Sequence, residues 1–209
     1  MAINNDRDVD SKEDLLAFAI SNFTKFGSKR FSMDELAQSI GISKKTIYKY
    51  FDSKEELVTE SLQYLLKNVR NAIENYVREN PNEEEPLQTI VFIYKLALTN
   101  LQAINPSFFY GLNKYYPKAS KAYADFRADI IWNVVFPLLE KAQKMGQIRP
   151  NVNVELTCKV FLSRMEDTVY AKTNLFEEYS VQELLDHIVV NNLLGILTLE
   201  YLQDCKLDK

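Results

Sequence analysis

The chain has 209 residues, 46% of them hydrophobic, with a formal net charge of −4, one His and two Cys. That length and apolar share allow a substantial core in one or two domains, and the mild negative charge argues against a general coater of nucleic acid. Cys158, Cys205 and the lone His187 form no zinc spacing, no apolar run reaches the ~18 residues of a membrane span, and the start MAINNDRDVD is too polar for a secretory signal.

In chain order, the first helix brings Leu15, Ala19, Phe23 and Phe26 to one side. Ser32 then precedes Met33, Leu36, Ala37 and Ile40, an i, i+3, i+4, i+7 stripe, and Glu35 stands where a capping box needs it. Gly41 closes that helix, because a left-handed residue is cheapest without a Cβ. Ser43 caps a third helix running to Lys49, with Ile47 suited to the core and Tyr50 or Phe51 packing at its end. Ser53 and Glu56 spell a second capping box and open a fourth helix.

The third helix carries cations and hydroxyls over most of its circumference. Lys44, Lys45 and Lys49 can reach phosphate oxygens, while Thr46 and Tyr48 can touch phosphates or base edges. A Lys-rich helix alone reads more readily as a solvated face. Placed after a helix and a Gly turn, it reads as the second helix of a helix-turn-helix. From Lys25 to Lys54 there are seven cations against three acids, a net +4 within an acidic chain. A local basic face on an acidic body fits a site-specific DNA reader.

The run Gly41-Ile42-Ser43-Lys44-Lys45-Thr46-Ile47-Tyr48-Lys49-Tyr50-Phe51, followed by Ser53-Lys54-Glu55-Glu56-Leu57, resembles the TetR/AcrR family of bacterial regulators. The close resemblance covers roughly residues 11–60. It implies an all-helical, homodimeric repressor whose C-terminal domain binds a small molecule. It also implies that Ser43, Lys44, Thr46, Tyr48, Lys49 and Tyr50 occupy the DNA-facing helix, and that Lys54 meets a phosphate from the start of the fourth helix. Lys45 stands where the family often has a small residue and Lys49 where it often has His. Both departures bear on which bases are read.

Beyond Ser53, Val58, Leu62, Leu65, Val69, Ile73 and Tyr76 form one stripe ending at Asn80-Pro81. That helix spans roughly 40 Å at the ordinary rise per residue. Pro86 suits the first turn of the next helix, which runs to about Ile104. Asn105-Pro106 and Tyr116-Pro117 bracket a short segment, and a long helix follows to Met145, kinked at Pro137 and stopped by Gly146. Two last helices span about Val154–Asn174, marked by Leu156, Val160 and Val169, and Val181–Leu202. The predicted fold is therefore all-α, of about nine helices. Residues 1–52 form the DNA-binding unit, 53–80 a connecting helix and 81–209 a ligand-binding and dimerisation domain.

The last helix is apolar over more than one face through Leu185, Ile188, Val189, Leu193 and Ile196. It is either an internal core helix or, as the family resemblance implies, part of a four-helix bundle with its twin. A two-fold dimer also doubles a short reading site. His187 lies on the apolar side of this helix, in core or interface rather than on a ligand.

Phe109, Tyr110, Asn113, Tyr116, Tyr123, Phe126 and Trp132 crowd one stretch, either as ordinary core or as an aromatic ligand cavity with polar fixers. Lys114 and Lys118 read as surface. No GxGxxG, GxSxG or P-loop, no nucleophile–base pair and no metal triad stands out, so neither an enzyme nor a cofactor is expected. The partners expected are double-stranded operator DNA, a second copy of the chain and a small effector, in the cytoplasm and without a membrane. A ligand-independent DNA-binding factor of the same fold is the alternative.

Overall fold

Side-chain caps set the helix starts at the N-terminal end. In the computed structural model, which describes residues 11–29, 31–80, 85–160 and 174–204, Ser11 accepts the Asp14 N–H and opens α1 (Lys12–Phe26). Ser32 opens α2 (Met33–Ile40) with the complete expected box. Its Oγ accepts the Glu35 N–H at 3.1 Å, and the Glu35 carboxylate accepts the Ser32 N–H at 2.7 Å. Gly41 ends α2 at φ 77°, where any side chain would be strained. Ser43 opens α3 (Lys44–Ile47) and Ser53 opens α4 (Lys54–Glu79). At Ser53 the box differs from expectation. The Glu56 N–H does bond the Ser53 hydroxyl, but the Glu56 carboxylate takes the Asp52 N–H at 2.6 Å.

Pro86 stands in the first turn of α5 (Pro86–Gln102), as its missing N–H favours. There follow α6 (Pro106–Tyr115), α7 (Pro117–Ile130), α8 (Phe136–Lys144) and α9 (residues 154–160). The end of the described chain holds α10 (Val181–Leu185), α11 (Asn191–Leu194) and α12 (Leu199–Asp204). Among the described residues every regular element is helical, and Ile148 with Leu197 forms one isolated bridge.

The effect expected of Pro137 is present as a widened turn. Residues Ile131–Val135 form a π-helical segment between α7 and α8, with the Phe136 N–H reaching back to the Ile131 carbonyl. A proline cannot donate and crowds the carbonyl four residues earlier, and a π turn absorbs both problems. The predicted helix from Val181 to Leu202 is broken instead. A second π segment, Asp186–Val190, leads into α11, and the helix stops near Gly195. There the connection after Gly146 claims the backbone. The Arg149 N–H donates to the Ile196 carbonyl (3.0 Å), its guanidinium to the Gly195 carbonyl (2.7 Å), and the Thr198 N–H to the Gln147 carbonyl (2.9 Å).

Packing groups the described residues into two units: those up to Lys67 with Ser107–Tyr123, and those of Asn68–Pro106 with those from Ala124 onward. The first is built on Leu15, Phe23, Leu36, Ile47, Phe51, Leu57, Leu62 and Phe108, all essentially without exposure. Phe26, expected in that core, is 46% exposed and stacks on Phe31, ring centroids 6.1 Å apart. The second unit is built on Leu87, Ile90, Leu98, Val135, Leu139, Val189 and Leu193, with α5 packed against α8 and α10. In α4, Val58, Leu62 and Ile73 are buried as the stripe predicts, but Leu66 is buried while Leu65 is only half-buried. Of the predicted helix to Asn174, Val169 lies outside the described residues. Leu156 and Val160 are exposed, and Cys158 turns inward between them.

A candidate nucleic-acid interface

The reading element is short and anchored by one side chain. Ile47 is fully buried and ties α3 to the core with α2 packed beside it. After Ile47 the backbone bonds tighten. The Tyr48 N–H still reaches Lys44, but those of Lys49 and Tyr50 reach only Thr46 and Ile47. The expected helix to Lys49 therefore has four α-helical residues followed by a narrower turn. β-Branched Thr46 and Ile47 and the aromatic Tyr48 support a helix weakly, and Phe51, 1% exposed, must swing into the core just beyond. This turn throws Tyr48 and Tyr50 outward at 45% and 40% exposure.

The surface of α3 is polar and open. Ser43 accepts the Thr46 N–H at 3.1 Å, and the two hydroxyls lie 2.8 Å apart, so the cap also orients Thr46. Lys45 and Lys49 are exposed and, among the described residues, meet no carboxylate. Lys44 does: its ammonium lies 2.8 Å from Asp34 on α2, and that hydrogen bond holds its pKa above the ordinary lysine value. Both groups are exposed, so the pair is screened and open to exchange with a phosphate. Lys54 is partly buried at the start of α4. Burial lowers its pKa against the upward pull of Glu35, and it points toward the Tyr116 ring, 6.0 Å from its centroid. The eight residues assigned to DNA from the sequence thus gather on α3, the following turn and the first residue of α4.

Asp34 is a partner that sequence reading missed, since only the α2–α3 packing brings it to Lys44. Lys12 is another. It pairs with Glu60 at 2.7 Å and sits 4.9 Å over the Phe51 ring, bracing the buried end of the reading turn.

The aromatic stretch divides between the two units. Phe109, Tyr110, Asn113, Tyr116 and Tyr123 belong to the first unit, Phe126 and Trp132 to the second. Phe109 is buried 5.1 Å from the Tyr123 ring, and the Tyr116 phenol donates to the Ser28 carbonyl. Tyr110 is 63% exposed, and Asn113 accepts from the Ser120 hydroxyl. Phe126 lies under the Arg70 guanidinium, and Trp132 tilts against Phe136. In the same unit burial drives the Tyr94 phenol pKa far above its usual value.

The predicted dimer residues separate by face. Leu185, Val189 and Leu193 are at most 1% exposed and fill the core of their own chain. Ile188 and Ile196 are half-buried on another side. There, Ile196 and Asn192 line a recess of about 270 Å³ with Val152, Leu156, Thr157 and Val160. His187 is exposed, against its expected place on the apolar side. Among the described residues no His, Cys, Asp and Glu cluster could hold a metal, and no single helix is long and apolar enough to cross a membrane.

Comparison with known proteins bears on the same turn. Residues 15–60 match the family described as bacterial regulatory proteins, tetR family. The chain is 25% identical over 162 residues to the uncharacterized HTH-type transcriptional regulator YvaF of Bacillus subtilis, covering 76% of this chain and 82% of that one. Its fold is similar to that of the TetR family regulator PfmR from Thermus thermophilus, with a TM-score of 0.63 and 20% identity over 84% of this chain and 97% of PfmR. It is also similar to the transcriptional regulator FadR from Bacillus subtilis in complex with stearoyl-CoA, with a TM-score of 0.68 and 14% identity over 89% of this chain and all of FadR.

Proposed function

Given that the chain belongs to the TetR/AcrR family of transcriptional regulators, we propose that it is a homodimeric repressor released from a two-fold operator by a small apolar or aromatic effector. It is a DNA-binding regulator and not an enzyme. The observation that carries the finer reading is α3 with its turn, anchored by Ile47 alone and presenting Lys45, Lys49, Tyr48 and Tyr50 to solvent. Lys44, Lys45, Lys49 and Lys54 take phosphates. Ser43 holds the helix start, and Thr46, Tyr48 and Tyr50 touch base edges and backbone. Residues 1–52 are the reading domain, 53–80 the connection and 81–209 the effector and dimer domain, all acting in the cytoplasm.

Exposed Leu156 and Val160, with Ile196 on the same recess, supply an apolar face that a second copy would cover. Phe126 and Trp132, half-buried, are the aromatic members able to yield to a ligand, whereas Phe109 and Tyr116 are already closed in core. The stearoyl-CoA bound by FadR supports an effector with a large apolar part. In the dimer two α3 elements enter successive major grooves about 34 Å apart. An effector that favours another spacing by a few kcal/mol, acting through α4, frees both half-sites together. Capture of sheared host DNA by the purified protein tests this. One or a few upstream fragments sharing an inverted repeat are expected, and an even spread over the genome contradicts it.

A further inference from the structure

We infer that Lys29, Lys114 and Lys118, with Tyr110 and Tyr115, form a second phosphate-binding surface that holds the DNA backbone flanking the half-site read by α3. The inference rests on the DNA-binding reading above and extends it to residues outside the reading turn. Between Ser107 and Tyr123 the chain carries Lys114, Lys118 and Lys121 and no acid. That stretch packs in the same unit as α1, α2 and α3.

The seating of α6 there is close. Gly27 turns at φ 83°, and a Cβ on it would lie 2.7 Å from the Ser107 hydroxyl. A Cβ on Gly111 would lie 2.8 Å from the Ser28 hydroxyl, and the Tyr116 phenol bonds the Ser28 carbonyl. The end of α6 is thereby fixed against the turn that leads into α2.

Two ammonium groups converge at this end. Lys29 donates to the Tyr115 phenol at 3.0 Å and lies 4.8 Å from its ring centroid. Lys114 lies 5.5 Å from the same centroid and donates to the Tyr110 phenol at 3.1 Å. Tyr110 and Tyr115 are 63% and 37% exposed, and all three lysines are exposed. Among the described residues neither Lys29 nor Lys114 has a carboxylate within ion-pair distance, unlike Lys12 and Lys44. The bond from Lys29 also draws the Tyr115 pKa below its ordinary value. Two like charges held near one ring repel, and a bridging anion with two phenols at hand relieves that repulsion.

The position selects duplex DNA as the source of that anion. Lys29 stands four residues before Met33, and the first helix of a helix-turn-helix crosses the phosphate backbone. Lys54 faces Tyr116, the neighbour of Tyr115, and so joins this surface to the reading turn.

The test uses the full-length protein and an operator selected from random duplex, prepared as its core and again with about one helical turn added at each end. Fluorescence anisotropy is measured across a salt series for the wild type and for Lys29→Gln/Lys114→Gln. On the longer duplex the double variant should bind roughly tenfold more weakly, with a salt slope lower by about two per protomer. On the core duplex the two proteins should match. Thermal unfolding confirms that the exposed substitutions leave the fold intact, and Lys118→Gln should show a smaller loss of the same kind. Equal binding to both lengths by the wild type, or an equal loss on both by the variant, overturns the inference while leaving the regulator reading in place. A wild type with no sequence preference overturns both.

Discussion

The α3 turn and the α10–α11 stretch are both short, interrupted helices, yet they dispose of their side chains in opposite ways. In α3 and its turn only Ile47 is buried, and Lys45, Tyr48, Lys49 and Tyr50 face outward. Between Val181 and Leu194, Leu184, Leu185, Val189, Val190 and Leu193 all turn into the chain's own core. The first element is anchored just enough to stay in place and offers the rest of its surface. The second gives most of its surface to stability and leaves only a strip beside Leu156 and Val160. Function and stability are therefore separable by mutation in this molecule.

The largest effect expected is on stability, at the two anchors. Ile47→Ala and Leu193→Ala should each cost about 2–5 kcal/mol in urea unfolding, since both remove fully buried side chains. Only Ile47→Ala should also abolish DNA binding at temperatures where the protein remains folded. If Leu193→Ala removed binding equally, the separation would fail. Ser43→Ala comes next, with a loss of about 0.5–2 kcal/mol from the cap, read by the same unfolding experiment. It should weaken DNA binding more than its small effect on stability suggests, because the same hydroxyl orients Thr46.

Asp34→Asn sharpens the comparison from the other direction. It frees Lys44 from its carboxylate, and DNA binding should tighten several-fold at low salt with nearly the same salt slope, since the phosphates contacted are the same. An affinity no higher than that of the wild type would mean that Lys44 meets no phosphate. The smallest effect is on pH dependence. The Ser32 N–H and hydroxyl hold the Glu35 pKa below its ordinary value, and Asn133 and Arg70 do the same for Asp129. A depressed carboxylate contributes stability above its unfolded pKa of about 4 and loses it as pH falls through the lower folded value. Glu35→Gln and Asp129→Asn should each make acid unfolding below about pH 4 less steep. A variant as acid-sensitive as the wild type would show that its carboxylate makes the same bonds unfolded.

What could be read in the sequence was local. Ser32 with Glu35, Gly41 and Ser43 fix helix ends through contacts three or four residues apart, so the helix-turn-helix is legible without any knowledge of packing. Pro86, Pro106 and Pro117 mark helix starts for the same reason. What could not be read depends on distant partners. Asp34 reaches Lys44 only after α2 packs on α3, and the break at Gly195 exists because Arg149 and Gln147 bond that backbone. Leu185, Val189 and Leu193 share an apolar face whose partner, own core or second copy, periodicity does not specify. Tyr110 and Phe109 are adjacent in sequence, and only the seating of α6 decides that one is exposed and the other buried.

The central claim is that the turn from Ser43 to Tyr50 reads DNA through exposed side chains, Lys45, Tyr48, Lys49 and Tyr50, that stability does not need. The most direct test is fluorescence anisotropy of wild type and Tyr48→Ala on the DNA upstream of the protein's own gene and on a scrambled duplex, with unfolding curves run in parallel. The account predicts a wild-type preference for the upstream DNA that falls steeply with salt. It also predicts a loss in Tyr48→Ala of roughly five- to 150-fold, set by the value of one good base contact, with an unfolding midpoint unchanged. A variant that binds as well as the wild type, or loses binding only as it loses stability, would contradict it.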